Sequence, residues 1–302
     1  METNFLLDIE YKFGKLKSKH RCLHLINQGI IVKKSFKGGI IATKILLAYK
    51  GRKKYLKCIL MWFSILMWPK KGFSSKMFAN NSDFELIFFG RCKRIKVIKA
   101  EGIVNKVNSD YFSKTDRYIR KKINTYNIAP KVFEFGNNYF YEERVKKFDY
   151  ARNIDVVNEK LLHFKSLFQT IIISKTKYKE KLVKRINSFD KSILITNIKN
   201  ESGNIKVNMS HGDLVRRNIL VKDKKNVFII DFEFCGYRSE CYDFLFEDYY
   251  NDRKLFFEQH PNFQVNIFLL ERVILILKLQ NELKISYQTE IQAICEYLQK
   301  HN

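Results

Sequence analysis

The sequence predicts an α+β fold with two lobes, one small and β-rich, the other larger and mainly helical. Three observations predict it. Residues 83–145 carry five short apolar runs, separated by turn residues and interrupted by a single helical pattern. Residues 155–198 and 243–299 repeat apolar residues at helical spacing. Between those helical stretches, two β-branched runs, Ile219–Lys222 and Val227–Ile230, flank the polar turn Lys224-Lys225-Asn226. The expected division is a basic, partly apolar N-terminal extension over 1–80, a small lobe over 81–145 and a large lobe over 146–302.

The 302 residues suffice for a sizeable core, and ample aliphatic and aromatic content argues against global disorder. Six cysteines at 22, 58, 92, 235, 241 and 295 form no Cys-x-x-Cys pair, so neither zinc nor a disulfide framework is expected. Reduced thiols, and a start that lacks a secretory signal pattern, predict a cytoplasmic protein. The net charge is +25, and residues 1–80 hold 17 Lys/Arg against 3 Asp/Glu. Two readings of that excess stand: a functional basic face, or the Lys, Asn, Ile and Phe bias of an AT-rich coding sequence. No recognition motif supports nucleic acid as a partner.

Taken in order, the extension contains the apolar stretch Cys58–Trp68 between Gly51-Arg52-Lys53-Lys54 and Pro69-Lys70-Lys71-Gly72. Eleven residues are far short of the ~20 that span a bilayer. Its apolar residues wrap all round, which favours a helix packed on the body; the basic flanks keep open a helix lying on an anionic membrane. In the small lobe, Phe84–Phe89, Arg94–Lys99 and Ile103–Val107 read as strands, Ser113–Tyr126 as a helix, and Phe133–Phe135 with Tyr139–Tyr141 as a hairpin. Pro130 ends the helix region. Residues 155–198 read as helices, Asn200–Asn204 as a loop, and Asp243–Tyr250, Phe268–Leu283 and Gln288–Gln299 as a C-terminal helical set broken at His260-Pro261.

The chemistry concentrates in Ser210–Phe234. Asp213 lies two residues after His211 and five before Asn218, the order of a phosphoryl-transfer loop in which the Asp takes the acceptor's proton and the Asn holds Mg²⁺. Asp231 ends the apolar run Val227–Ile230 and is the second expected Mg²⁺ ligand. An antiparallel hairpin would carry Asn218 at its entrance and Asp231 at its exit. His211 is expected to brace the loop. Glu233, Arg216 and Arg217 flank it, each with a structural role as open as a chemical one.

His211-Gly212-Asp213, Asn218 and Ile230-Asp231-Phe232-Glu233 together resemble the aminoglycoside phosphotransferase and choline kinase family. Gly236 through Asp243-Phe244 resembles the family segment after the metal Asp, with Arg238-Ser239-Glu240 where an Asp-Pro is usual. The resemblance implies a protein-kinase-like fold, ATP and Mg²⁺ as cofactors, and a small-molecule hydroxyl acceptor. It further implies a nucleotide lysine on the third strand, Lys106 or, as runner-up, Lys99. A steadying carboxylate on the next helix would be Asp116. The hinge Glu142-Glu143-Arg144-Val145 would hold the adenine, with Glu143 and Val145 as contacts; its acidic pair reads equally as an exposed strand end. Permitted acceptors are aminoglycosides, choline or ethanolamine, and sugars of surface polysaccharide or lipopolysaccharide; the basic chain favours the last. The competing expectation is an inactive scaffold that binds membrane or polyanion.

Overall fold

The computed structural model describes residues 22–25, 30–33, 84–89, 95–99, 102–145, 154–193, 198–223, 226–259, 262–283 and 286–300, with scattered positions between 39 and 62. Two compact units emerge. The first comprises residues 1–108 and 131–144, the second 109–130 and 145–302. The boundary at Arg144–Val145 falls inside the expected hinge.

Among the described residues, the first unit holds one antiparallel sheet of seven strands: β1 (Cys22–Leu25), β2 (Ile30–Lys33), β3 (Phe84–Phe89), β4 (Ile95–Lys99), β5 (Gly102–Lys106), β6 (Val132–Phe135) and β7 (Tyr139–Glu143). Their order is β1-β2-β3-β4-β5-β7-β6. The sheet starts well before the expected lobe at 81. Ile30 pairs with Phe88 and Ile31 with Ile87, so part of the expected extension is sheet. The β-branched run Ile30-Ile31-Val32 is the signal, outweighed by the surrounding lysines. Of the stretch 58–68, only Cys58, Ile59 and Trp62 are described; Cys58 is buried, and Trp62 Nε1 donates to Thr43 Oγ1 at 2.9 Å. The membrane reading of that stretch lies outside the described residues. No helix among the described residues is long and apolar enough to cross a membrane.

The helix expected in the small lobe, α1 (Tyr111–Ile123), belongs to the second unit. Apolar burial explains the reassignment. Ile119 and Ile123, with Ile128 and Ala129 after them, pack with Val157, Leu161, Phe164 and Ile229, while Phe112 joins Leu275 and Leu279. Asp110 caps α1 by accepting Ser113 N–H at 2.9 Å, and Arg120, Lys121 and Lys122 complement the dipole at its end.

The second unit continues with α2 (Ile154–Ser166), β8 (Ile171–Ser174), α3 (Lys175–Phe189), β9 (Asn204–Ser210), β10 (Ile219–Val221), β11 (Val227–Ile229), β12 (Gly236–Ser239), α4 (Tyr242–Asn251), α5 (Arg253–Gln259), α6 (Phe263–Leu283) and α7 (Gln288–Lys300). The helical reading of 155–198 is corrected at Ile171-Ile172-Ile173. Three β-branched residues in a row form an edge strand on β9, which is itself flanked by β12. The segment carrying Arg238-Ser239 is likewise a strand, with Gly236 opposite Ser210 and Ser239 opposite Val207. The hairpin β10–β11 is as expected, Ile219 facing Ile229 and Val221 facing Val227. Its turn residues Lys224-Lys225, like the break at His260-Pro261, lie outside the described residues.

The core of this unit is built on α6, where Val265, Ile267, Phe268, Leu269, Leu270, Val273 and Ile276 are fully buried. A helix apolar on nearly all faces needs neighbours all round; α3, α4, α5 and α7 supply them. Asn262 starts it, its Oδ1 accepting Val265 N–H at 3.0 Å. Two adjacent charged residues in its middle, Glu271 and Arg272, are both bonded. Arg272 Nε donates to Glu290 Oε1 of α7 at 2.9 Å. Glu271 accepts Tyr178 O–H at 2.6 Å, Ser239 N–H at 2.5 Å and Ser239 O–H at 2.7 Å. One carboxyl therefore ties α3, β12 and α6 together.

Burial pushes the Glu271 carboxyl up to about 7, against the opposing hydrogen bonds from Tyr178 and Ser239. The folded state then keeps a proton that the unfolded chain releases near 4.5. The stability this group contributes is complete below about 4.5 and is lost as pH rises through about 7. We predict that the thermal midpoint of the native chain falls across that window relative to Glu271→Gln. Parallel pH profiles for the two proteins would contradict the assignment.

Candidate active site

Strand β9 ends at Ser210 and delivers His211-Gly212-Asp213 to the centre of the second unit. The loop is held from behind by Asp243, the second residue of α4. Asp243 Oδ1 accepts Ser210 O–H at 3.0 Å and Gly212 N–H at 3.0 Å, and Oδ2 accepts His211 N–H at 3.1 Å. Lys165 Nζ, from α2, stands 3.5 Å from Oδ2 and donates to Glu240 O at 2.9 Å. Burial acts to raise the Asp243 carboxyl, but Lys165 and the backbone donors outweigh it and hold the pKa below the usual value. Asp243 is thus a buried, ionised anchor.

Gly212 is required where it stands. Its φ is +85°, and an added Cβ would meet Phe234 O at 2.3 Å. The close approach lets the loop lie against the segment after Asp231. Arg238 closes the other side, donating to Phe234 O at 2.9 Å and to Ser210 Oγ at 3.2 Å.

His211 is fully buried. Its Nδ1 accepts Asp213 N–H at 3.4 Å, which places the ring proton on Nε2, and Nε2 lies 2.9 Å from Ile230 O. The imidazole therefore braces the loop against the hairpin end, as expected. It is not placed to shuttle protons.

Asp213, Asn218 and Asp231 are brought together through Asn218. Its Nδ2 donates to Asp213 O at 2.8 Å and to Asp213 Oδ2 at 3.0 Å. Its carbonyl accepts Ile230 N–H at 2.9 Å, so Asp231 follows directly on the residue bonded to Asn218. Asp231 adopts the left-handed conformation, φ 69° and ψ 54°. That is strained for a non-glycine residue, though Asp tolerates it better than most. The following N–H, of Phe232, is held by Asp116 Oδ1 at 3.1 Å.

Asp213 is largely buried, and Arg217 Nη2 reaches both its oxygens, at 3.1 and 3.4 Å. Arg217 Nη1 also donates to Tyr250 O–H at 2.7 Å.

The donor set fits Mg²⁺ shared with a nucleotide. With Nδ2 turned to Asp213, the remaining polar atom of the Asn218 amide is Oδ1, a hard oxygen. Asp231 adds a carboxylate. Mg²⁺ is usually held by one or two such groups with phosphates and water. No cluster of three or more His, Cys, Asp or Glu side chains able to hold a metal occurs among the described residues. Two hard oxygen side chains suit a metal that arrives with phosphate.

The remaining expected residues divide between the two units. Lys106 ends β5 in the first unit, half-buried and opposite Tyr139. Lys99 ends β4, and its side chain lies outside the described residues. Glu142 is not an exposed strand end: it is buried and accepts Asn105 Nδ2–H at 2.8 Å. Glu143 is half-buried, with its N–H on Lys131 O, and Val145 opens the second unit. Asp116, expected beside the nucleotide lysine, lies in the second unit, where it supports the Asp231 turn and stands 3.8 Å from Arg120. Sequence reasoning missed the supporting roles of Ser210, Lys165 and Arg238. A lysine in an amphipathic helix gives no sign that it will be buried on a carboxylate 78 positions away in the chain.

The choline/ethanolamine kinase family profile aligns with 151–267 of this chain. That segment contains the whole Asp213–Asn218–Asp231 arrangement and its anchor Asp243, so the resemblance read from the motifs is borne out over that segment. No curated protein sequence matches the chain significantly. Similar solved structures include the choline kinase LicA from Streptococcus pneumoniae, at 13% identity and TM-score 0.39 over 68% of this chain and 89% of that one. A choline/ethanolamine kinase family protein from Mesorhizobium loti aligns at 12% identity and TM-score 0.40, covering 70% and 87%. The aminoglycoside phosphotransferase APH(4)-Ia aligns at 11% and 0.37, covering 73% and 90%. At these values the alignments bear on neither acceptor nor mechanism.

Removing the Asp243 carboxylate leaves the Lys165 charge and two loop N–H groups unmatched in the interior. Asp243→Ala is expected to lower unfolding stability by about 3–5 kcal/mol, read from denaturant titration. A loss below about 1 kcal/mol would mean that the loop is held elsewhere.

Proposed function

We propose that the chain is an ATP- and Mg²⁺-dependent kinase that transfers the γ-phosphoryl group to a hydroxyl of a small acceptor. The observation that carries this reading is the bonded series Asp213, Asn218, Ile230, with Asp231 next in line. Asp213 accepts the acceptor's hydroxyl proton and orients that oxygen for attack. Asn218 Oδ1 and the Asp231 carboxylate would hold the metal. Mg²⁺, when bound, supplies positive charge to the transferring phosphoryl oxygens. Asn218 also acts on the base: its Nδ2 bonds fix the Asp213 carboxylate, so metal ligand and base share one rigid amide. His211 and Asp116 fix the backbone on either side of Asp231. The strain at Asp231 is offset by the Phe232 N–H bond to Asp116 and by burial of Phe232 against Phe164 and His211.

For the acceptor we favour a sugar of surface polysaccharide or lipopolysaccharide, supported by the basic chain and the absence of conspicuous acidity in its C-terminal part. The second reading is choline, ethanolamine or an aminoglycoside; the family match over 151–267 favours the amino alcohols.

Asp213→Asn removes the proton acceptor and leaves the metal ligands in place. The expected outcome is a fall in ADP release of about 10²–10⁴-fold with Mg²⁺·ATP affinity unchanged by calorimetry. Full turnover in that variant would exclude Asp213 as the base.

A further inference from the structure

Arg217 has contacts that its surroundings do not require for stability. It lies in the short 3-10 turn Arg216–Asn218, four residues after Asp213. Its Nη2 bonds the Asp213 carboxylate, its Nη1 bonds Tyr250 O–H, and its guanidinium carbon stands 5.2 Å over the Tyr250 ring. Yet 57% of its side chain is exposed, against 11% for Asp213. A half-exposed ion pair adds little to folding. What the clamp does achieve is to fix a cation at the solvent side of the candidate base. Arginine does not deprotonate, so the charge is permanent.

The neighbouring charges reinforce this view. Arg216 is exposed beside Arg217 in the same turn. Helix α4 carries three acidic residues: Asp243 is buried and matched by Lys165 and the loop donors, Glu247 already interacts with Arg216, and Asp248 adds to the local repulsion that Glu247 feels. Glu233 is buried. An unpaired Asp213 would draw a cationic acceptor toward its oxygens. Paired with a guanidinium, it carries no net charge to do so, and the guanidinium keeps donors to spare.

We propose that Arg217 sets the charge class of the acceptor: it admits molecules that are neutral or anionic beside the reacting hydroxyl and disfavours amino alcohols and amino sugars. The inference rests on the phosphotransferase reading above and narrows it toward sugars, sugar acids and phosphate-bearing alcohols. A unit charge on the acceptor about 6 Å from the guanidinium would be discriminated by roughly a hundredfold at an effective dielectric near 20, and by about tenfold once half-exposure and salt are allowed for.

The test uses three sugars of one skeleton, glucose, glucosamine and glucuronate, with the full chain and with Arg217→Ala and Arg217→Lys. ADP release gives kcat/KM for each. Ligand-observed NMR, with Mg²⁺ and a non-hydrolysable ATP analogue present, gives binding independently of turnover. The expected native order places glucuronate and glucose above glucosamine. Arg217→Ala should shift the glucuronate-to-glucosamine ratio about tenfold toward glucosamine, while Arg217→Lys keeps the order and loses kcat. A ratio unchanged in Arg217→Ala, or a native preference for glucosamine, overturns the proposal while leaving the kinase intact. If no sugar is turned over, the sugar-kinase reading fails and the binding ratio still decides: a shift in Arg217→Ala upholds the charge filter, and an unchanged ratio or no binding of any sugar overturns it.

Discussion

A single ionised carboxylate behind the loop governs this molecule. Asp243 is 1% exposed, and a bare charge so placed would cost many kcal/mol. It is tolerated because every part of it is matched: the Ser210 hydroxyl, the His211 and Gly212 amides, and the Lys165 ammonium. Those partners come from β9, from the loop itself and from α2. The same contacts that make the charge tolerable therefore fix where Asp213 begins. Such an arrangement is directional in a way that apolar packing is not, since each donor must arrive at its own oxygen.

From that anchor the geometry passes outward along hydrogen bonds. Gly212 admits the backbone of the Phe232–Phe234 turn, and His211 reaches Ile230 O. The hairpin then returns Ile230 N–H to Asn218 O, and Asn218 grips Asp213. The circuit closes on itself within the second unit. Its one strained member, Asp231, is held by the regular strand before it and the Asp116 bond after it. Backbone strain at a carboxylate that would ligate a metal is consistent with a conformation kept for chemistry rather than for stability.

Much of this is legible in the sequence. Asp213, Asn218 and Asp231 are readable because their spacing is local, and the hairpin because a β-branched run on either side of a polar turn has few alternatives. The apolar α6 is readable from composition alone. The departures share a physical cause: the deciding partners are distant in the chain. β2 joins the sheet through β3, more than fifty residues on. Ile171–Ile173 continues an apolar pattern that looks helical until β9 supplies its ladder. The helix α1 falls in the second unit, against expectation, because its burial partners lie on α2, α6 and the hairpin. Charged residues are the least readable. Lys165, Arg238 and Glu271 look like ordinary surface residues in the sequence and are buried in the fold. Arg217 is visible as a flanking residue, but its grip on Asp213 and Tyr250 is not.

The central claim is that Asn218 and Asp231 form half of a divalent-metal site that phosphate completes. Electron paramagnetic resonance of Mn²⁺ tests it directly, with the metal titrated into the chain with and without ATP. The account predicts one bound Mn²⁺ that appears only with nucleotide and is lost in Asp231→Asn while the chain stays folded. Nucleotide-dependent Mn²⁺ binding that survives both Asp231→Asn and Asn218→Ala would contradict it.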